Sequence, residues 1–570
     1  MQRPNILILM VDEERFPTIY ESKATKEWRT QYLKAQTLLK QNGFEFKNHY
    51  AASTACAPSR ASIYTGQYPS LHGVSQTPGA AKDDFDSDMF WLDPNTVPTF
   101  GDYFQQAGYS TFWKGKWHAS QADIINPAPN HPSYLSYDIN SGIPSPLGEE
   151  RYLKANKLLP YGFNGWVGPE PFGDLPANSG SSSPKMISGR DVIFANEAIE
   201  LIEQLNDNDS LEPWIMTTSF VNPHDITLYG EISRLSDDFN FSIDPSVPHI
   251  DSAPTSHEDL STKPRCQKSY KEVYQEAFQP SLDTEEYRQL YYSLMLKADT
   301  QMQRVLDALI KSKFYENTII IFTSDHGDLG GSHGGLFEKW YQAYEETTHV
   351  PLIIHNPKLF DHYQCTDAIT SHVDLLPTLL SLANIDQATT RLKLKKTHTQ
   401  ALKPVGRDLT PLFNKCCDSP EFSEGIYFMT DDDPTKGQHQ ETFEGKTYKA
   451  VIEPSSVETI IIYLKNTETN YREKWKFSRY FNNSELWTSP NKEDKLLDKR
   501  VSDKLCEVDI YTINRIDKIE DFEMYNLTND PIEANNLINE YYCDKSVKEI
   551  ADLLYGLLIK QREEKRLSPQ

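Results

Sequence analysis

Asp12, Lys116, His118, His224, Asp325 and His326 each follow closely on an apolar run, at residues 6–11, 109–113, 214–221 and 318–323. If those runs are strands of an open α/β sheet, all six share one address, because ligands there bind beyond the carboxyl ends of the strands. Asp12 and Asp325 would sit at the rim of a buried sheet, where an unpaired carboxylate is costly. A hard divalent cation held by oxygens would satisfy both. Alternatively, either acid caps a following helix, a position Asp favours. Lys116 and His118 flank Trp117, which suggests a partly buried segment, and a buried lysine needs an anion; a solvated turn is the plainer reading. His224, in Asn222-Pro-His-Asp225, is by its position alone more often a structural than a catalytic residue.

Cys56 stands two residues before Pro58 and four before Arg60. Proline and the small residues around it suit the first turn of a helix, where a missing N–H costs nothing. Cys56 would then lie just before a helix N-terminus, whose free N–H groups and positive dipole end favour anions. Arg60 adds a permanent forked cation one turn on. Taken alone, Cys56 reads first as an inert buried thiol, because inert Cys residues outnumber reactive ones.

The string Cys56-Ala-Pro-Ser-Arg60 followed by Tyr64-Thr-Gly66 resembles the signature of the formylglycine-dependent sulfatases of the alkaline phosphatase superfamily. In that family a separate maturation enzyme oxidises the Cys to formylglycine, whose hydrated aldehyde is the nucleophile. Other segments resemble family motifs as well. Ser324-Asp-His-Gly-Asp328 is similar to its second metal motif, and Gly115-Lys-Trp-His118 to its G-K-W-H motif. Phe337-Glu-Lys339, with Tyr344-Glu-Glu346 and Val350-Pro351 beyond it, is similar to the segment with a second sulfate-binding lysine. The stretch from Glu523 to Leu537 is similar to the closing motif.

The resemblance implies Asp12, Asp325, His326 and the modified Cys56 as ligands of a divalent metal. Glu13, where many members carry a second Asp, is the remaining ligand candidate. The metal would be Ca²⁺, with Mn²⁺ the alternative given an imidazole in the shell. Asp12-Glu13 and His326 together resemble the branch that includes choline sulfatases and phosphonate monoester hydrolases. Lys116, Lys339 and His224 are implied to bind substrate, His224 also giving the leaving alcohol its proton. His118 is a plausible base, Arg60 holds the diol in place, and His333 in Gly331-Ser-His-Gly334 lines the site. The implied activity is an arylsulfatase-like sulfuric ester hydrolase acting on a small-molecule or saccharide sulfate ester. Two alternatives stay open: a phosphonate monoester or phosphodiester hydrolase with the same site, and a non-catalytic anion-binding member whose Cys56 stays a thiol.

The elements that must position these groups alternate. Residues 6–11 are apolar throughout, as in a strand buried on both faces. A helix is expected over 27–41, closed by Gly43, and 44–50 returns toward Cys56. Helices over 97–107, 192–205, 285–313 and 374–383 interleave with strands at 109–113, 214–221, 318–323 and 350–354. This predicts an α/β fold with a largely parallel sheet, alkaline-phosphatase-like as the resemblance implies. Past residue 415, strand-like pieces at 425–429, 459–464 and 475–480 precede a helix over 547–561. The expected organisation is a catalytic domain over 1–415 and a smaller α+β subdomain over 416–570. Residues 121–190, with Phe163, Trp166 and Phe172, and residues 226–284 are polar and irregular. They read as inserts, the first a rim of the site.

Composition narrows the partners. At 570 residues the chain exceeds one typical core. Its net charge of −25 argues against nucleic acid or an anionic membrane as a partner. An anion pocket must therefore be locally basic. No run reaches the roughly 18 apolar residues of a membrane span, and the first strand ends in acids rather than a signal-peptide cleavage pattern. Seven Cys, with Cys416 and Cys417 adjacent, do not make a disulfide framework. A cytoplasmic enzyme is expected, periplasmic or secreted if a leader has been removed, with a homo-oligomer left open.

Overall fold

The structure, a computed structural model, describes residues 3–86, 89–126, 133–171, 175–184, 187–208, 212–414, 423–466, 468–482 and 520–570. Phe172, the Cys416 and Cys417 pair and the expected boundary at 415/416 lie outside the described residues.

Strand β1 (Asn5–Asp12) sends Ile6, Ile8 and Met10 into one core and Leu7, Leu9 and Val11 into another. With both faces covered, it reads as a continuous apolar run rather than an alternating one. The other strands of its sheet are β2 (Gly43–Tyr50), β3 (Ser110–Gly115), β4 (Trp214–Pro223), β5 (Thr318–Ser324), β6 (Leu352–His355) and β7 (Gln364–Ser371). Their order is β3-β4-β1-β5-β6-β2-β7. β1 pairs in parallel with β4 and β5, β3 with β4, and β2 with β7. β6 is antiparallel to both β5 and β2, so it alone in this sheet runs against the rest. The carboxyl ends of β1, β3, β4 and β5 consequently share one rim, where Asp12, Lys116, His224 and Asp325 emerge.

One face of the sheet is covered by helices Arg190–Asp207 and Glu285–Lys311, which bury Ala195, Ala198, Ala298 and Met302 against Leu7 and Leu9. The other face carries helices Cys56–Thr65, Phe100–Gln106 and Leu375–Leu382.

Some expected elements differ. The helix expected over 27–41 is two helices, Lys23–Tyr32 and Lys34–Gln41, broken at Leu33. Asp299 of the long helix accepts the amides of Ala35 at 3.0 Å and Gln36 at 3.1 Å. A carboxylate from a distant part of the chain thus satisfies a helix start that local sequence does not announce. Residues 226–284, expected to be irregular, contain helix Arg265–Ala277, with Cys266, Tyr270, Val273, Tyr274 and Ala277 buried. Their helical spacing was present in the sequence. Residues 121–190 likewise contain helix Pro146–Ala155.

A second, antiparallel sheet joins β8 (Ile426–Thr430), β9 (Ser456–Lys465), β10 (Arg472–Phe481) and β11 (Asp521–Asn526) in the order β11-β10-β9-β8. Tyr427, Met429, Ile460 and Trp475 share a core with Ala551, Leu554 and Leu558 of helix Lys545–Lys565. Ile426, Phe428, Ile461 and Tyr480 belong to a different core, which includes Phe337, Trp340 and Tyr344. This alternation follows from the period of two along a strand. It places the small sheet behind the segment that carries Lys339. No described helix is long and apolar enough to cross a membrane.

Candidate active site

Cys56 is the first residue of helix Cys56–Thr65, not the residue before it, and is 1% exposed. Its Sγ lies 3.1 Å from His326 Nε2 and 3.5 Å from Asp12 Oδ1. His326 Nε2 is in turn 3.7 Å from Asp12 Oδ1 and 3.8 Å from Asp325 Oδ1. Ligand atoms of Asp12, Cys56, Asp325 and His326 all lie within 4.8 Å of one another, and all four residues are buried. Burial, then the neighbouring Asp12, pushes the Cys56 thiol well above its ordinary value. The unmodified side chain is therefore a neutral thiol and a weak nucleophile. Two contacts anchor this helix start. Ser59 Oγ donates to the Asp325 carbonyl at 2.5 Å, and Ala55 N donates to Asp432 Oδ2 at 3.4 Å.

Arg60 is fully buried and ties the cluster together. Its Nε donates to Asp325 Oδ2 at 2.8 Å and its Nη2 to Asp12 Oδ2 at 2.9 Å. Its Nη1 reaches the Lys116 carbonyl at 2.9 Å and Ser219 Oγ at 3.0 Å. These bonds go to the two acids and the rim of the sheet rather than to the Cys56 sulfur. Arg60 thus bridges the two carboxylates. The forked, always-charged guanidinium offers each carboxylate its own N–H donor. Lys116 Nζ sits 2.6 Å from Asp12 Oδ2. Burial acts to raise the Asp12 pKa, but Lys116, His224 and Arg60 outweigh it and hold the carboxyl well below the usual range. The turn that delivers Lys116 depends on Gly115, which has φ +87° and whose Cβ would lie 2.0 Å from the Ser219 carbonyl oxygen.

The remaining predicted residues fall into two places. Lys339 Nζ is 3.0 Å from Glu13 Oε2. Glu13, at φ 73°, also donates its backbone N–H to Asp325 Oδ1 at 3.1 Å. Burial pushes the Glu13 carboxyl up even with Lys339 against it. Glu13 groups with Asp12 and His224 rather than with the set around Cys56. His118, at φ 52°, is held by Glu170, whose carboxylate accepts the His118 amide at 2.7 Å and the Trp117 amide at 3.2 Å. Burial, then Lys116, pushes the pKa values of both His118 and His224 well below their ordinary value, so both are neutral imidazoles. His333 lies elsewhere, stacked on Tyr344 with Glu346 and Glu258 beside its ring nitrogens. None of its described partners belongs to the Cys56 cluster.

Sequence reasoning missed Glu170, Ser219 and Asp432. Glu170 lies in an insert with no recognisable motif, Ser219 is one small residue of an apolar strand, and Asp432 follows a strand of the second sheet. Nothing local marked any of them.

Two carboxylates, an imidazole and the position-56 side chain converge in a buried pocket, a donor set that suits a divalent cation. Carboxylate oxygens favour Ca²⁺, and the imidazole admits Mn²⁺. Arg60 and Lys116 already balance Asp12 and Asp325 in formal charge. A cation seated among these four groups would leave them net positive, against a chain of net charge −25.

The match to a sulfatase family model sets the chain in the alkaline phosphatase superfamily, and the mostly parallel sheet agrees with that. Residues 4–385 match the model of one family in it, and the chain belongs to that sulfatase family. A choline-sulfatase from Rhizobium meliloti is 27% identical over 391 residues, covering 67% of this chain and 68% of that one. The iduronate 2-sulfatase of Homo sapiens is 27% identical over 462 residues, covering 72% and 74%. Among solved structures, the phosphonate monoester hydrolase of Agrobacterium radiobacter shares the fold with TM-score 0.58 and 18% identity, covering 99% of this chain and 96% of that one. The chemistry of the family is hydrolysis of a sulfuric ester.

Proposed function

We propose that this chain is an arylsulfatase-like, formylglycine-dependent sulfatase acting on a small-molecule or saccharide sulfate ester. The observation that carries this reading is the packing of Cys56 against Asp12 and His326, with Arg60 and Lys116 braced on the same acids. Residues 1–415 would form the catalytic unit and 416–570 a smaller subdomain.

Asp12, Asp325, His326 and residue 56 would hold the cation, with Glu13 the outlying candidate. Once in place, the cation and the oxidised side chain would supply Lewis acidity and an oxygen nucleophile at neutral pH. Lys116 and Lys339 bind the sulfuryl oxygens and spread the charge that develops on them. Arg60 keeps Asp12 and Asp325 in register throughout. His224 delivers a proton to the departing alcohol oxygen. In the resting pocket burial and Lys116 depress its pKa, and an anionic ester beside it raises the value again. His118, a neutral imidazole here, is suited to take the proton released when the aldehyde is regenerated.

The test begins with mass spectrometry of the Cys56 peptide from protein co-produced with a formylglycine-generating enzyme, where the aldehyde is expected. The matured protein is then assayed on sulfated phenols, sulfated sugars, choline sulfate and phosphonate esters. Turnover of sulfate esters that Cys56→Ala abolishes supports the reading. Equal turnover in Cys56→Ala refutes it. Faster turnover of phosphonate monoesters would favour the second reading, which the fold shared with the Agrobacterium hydrolase supports. A free thiol without turnover would leave an anion-binding protein.

A further inference from the structure

His224 sits in a turn held far more tightly than a loop needs to be. Asp225, the next residue, is 1% exposed. Its Oδ1 accepts the Gly180 amide at 2.9 Å, and its Oδ2 accepts the amides of Ser181 at 2.7 Å and Ser182 at 2.8 Å. On the other side, Asp191 accepts the Val221 amide at 2.6 Å on Oδ1. Asp191 Oδ2 accepts Asn222 twice, from the amide at 3.1 Å and from Nδ2 at 2.9 Å. Asn222 Nδ2 also donates to Ser181 Oγ at 2.8 Å, and its Oδ1 accepts the Asp225 amide at 3.4 Å. None of these bonds uses the imidazole.

Each of the two acids accepts three N–H donors, and together they clamp the backbone on both flanks of one histidine. The fit is close. A Cβ on Gly180 would lie 2.5 Å from Asn222 Nδ2 and 2.9 Å from Asp191 Oδ2. The gripping residues, Gly180 to Ser182 and Asp191, come from the end of the 121–190 insert and the helix start just beyond it.

We propose that Asp225 and Asp191 are positioning residues for His224, and that this segment is a brace aiming its imidazole at the leaving-group oxygen. The inference rests on the reading of His224 as proton donor given above. Misplacing a reacting group by about 1 Å can cost on the order of 100-fold in rate. The loss should appear only where the proton matters.

The experiment compares kcat on two esters with the matured enzyme. One is a nitrophenyl sulfate, whose phenolate leaves with little help; the other is an alkyl or sugar sulfate, whose alkoxide must be protonated. His224→Ala sets the scale, with a loss on the alkyl ester about 100-fold greater than on the nitrophenyl ester. Asp225→Asn and Gly180→Ala are expected to show the same bias, at about 10-fold or more, with KM within about 3-fold of wild type. Because the ratio of the two rates does not depend on the fraction of protein folded, a poorly folding variant still gives an answer. Equal losses on both esters in Asp225→Asn and Gly180→Ala, with the bias kept in His224→Ala, would overturn the brace alone. No bias in His224→Ala would overturn the proton-donor reading, and the brace with it.

Discussion

His333 offers a test in which the sign and size follow from geometry. Its ring is stacked on Tyr344 with centroids 3.6 Å apart, and no part of the residue reaches solvent. Nε2 lies 3.3 Å from Glu346 Oε2 and Nδ1 3.5 Å from Glu258 Oε2. Burial by itself would push the pKa down, and Lys263 opposes the proton as well. Glu346 and Glu258 outweigh both and hold it at about 9. An unfolded histidine titrates near 6.5. The folded state therefore binds the proton more tightly. Its stabilisation is fully present below about pH 6.5 and is lost as pH rises through about 9. The difference of about 2.5 pKa units is worth about 3 kcal/mol at 1.36 kcal/mol per unit.

Urea unfolding of wild type and His333→Gln at pH 6 and pH 9.5 reads this directly. Other groups titrate in both proteins, so the difference between them isolates His333. The advantage of wild type over the variant should shrink by about 3 kcal/mol between the two pH values. A difference constant to within about 0.5 kcal/mol would refute the argument that Glu346 and Glu258 hold the proton. If His333 instead touches substrate, the variant would raise KM at pH 7 while leaving the pH dependence of stability intact.

The other expectations concern the site. A chelator should lower the melting temperature of the matured protein, and Ca²⁺ or Mn²⁺ should restore it; Asp325→Asn should weaken that restoration by 10-fold or more in half-saturating metal, roughly the cost of one carboxylate ligand bond. Lys339→Ala removes the cation beside Glu13 that is proposed to bind the sulfuryl oxygens, and kcat should fall by about 100-fold or more, measured on any sulfate ester that wild type turns over. Glu170→Ala leaves the buried amides of Trp117 and His118 without their acceptor, for a stability loss of about 2–4 kcal/mol in denaturant unfolding. A loss under about 0.5 kcal/mol would mean that these amides find another partner in the variant.

The placement of candidate residues that are contiguous in the chain was legible from the start. Cys56, Pro58 and Arg60 lie within one turn of one helix, and Ser324 to Asp328 follow one strand, so their spacing is fixed by the local backbone. The apolar runs were legible too, because a strand buried on both faces admits little else. That the runs before Asp12, Lys116, His224 and Asp325 end at one rim followed from the handedness and parallel pairing of α/β sheets.

What the sequence left undecided depends on partners far apart in the chain. Asp299 breaks the 27–41 helix by capping its second half, and no local signal at Leu33 announces that. β6 runs against its neighbours β5 and β2, and nothing in its own four residues announces that direction. Arg60 could be recognised as a cation near Cys56, but that it bridges Asp12 and Asp325 depends on three elements meeting. Glu170, Asp191 and Asp225 look like ordinary acids of an insert, a helix start and a turn. Only folding brings each to the backbone amides it holds, because a carboxylate chooses its donors by proximity in space and a sequence records only proximity along the chain.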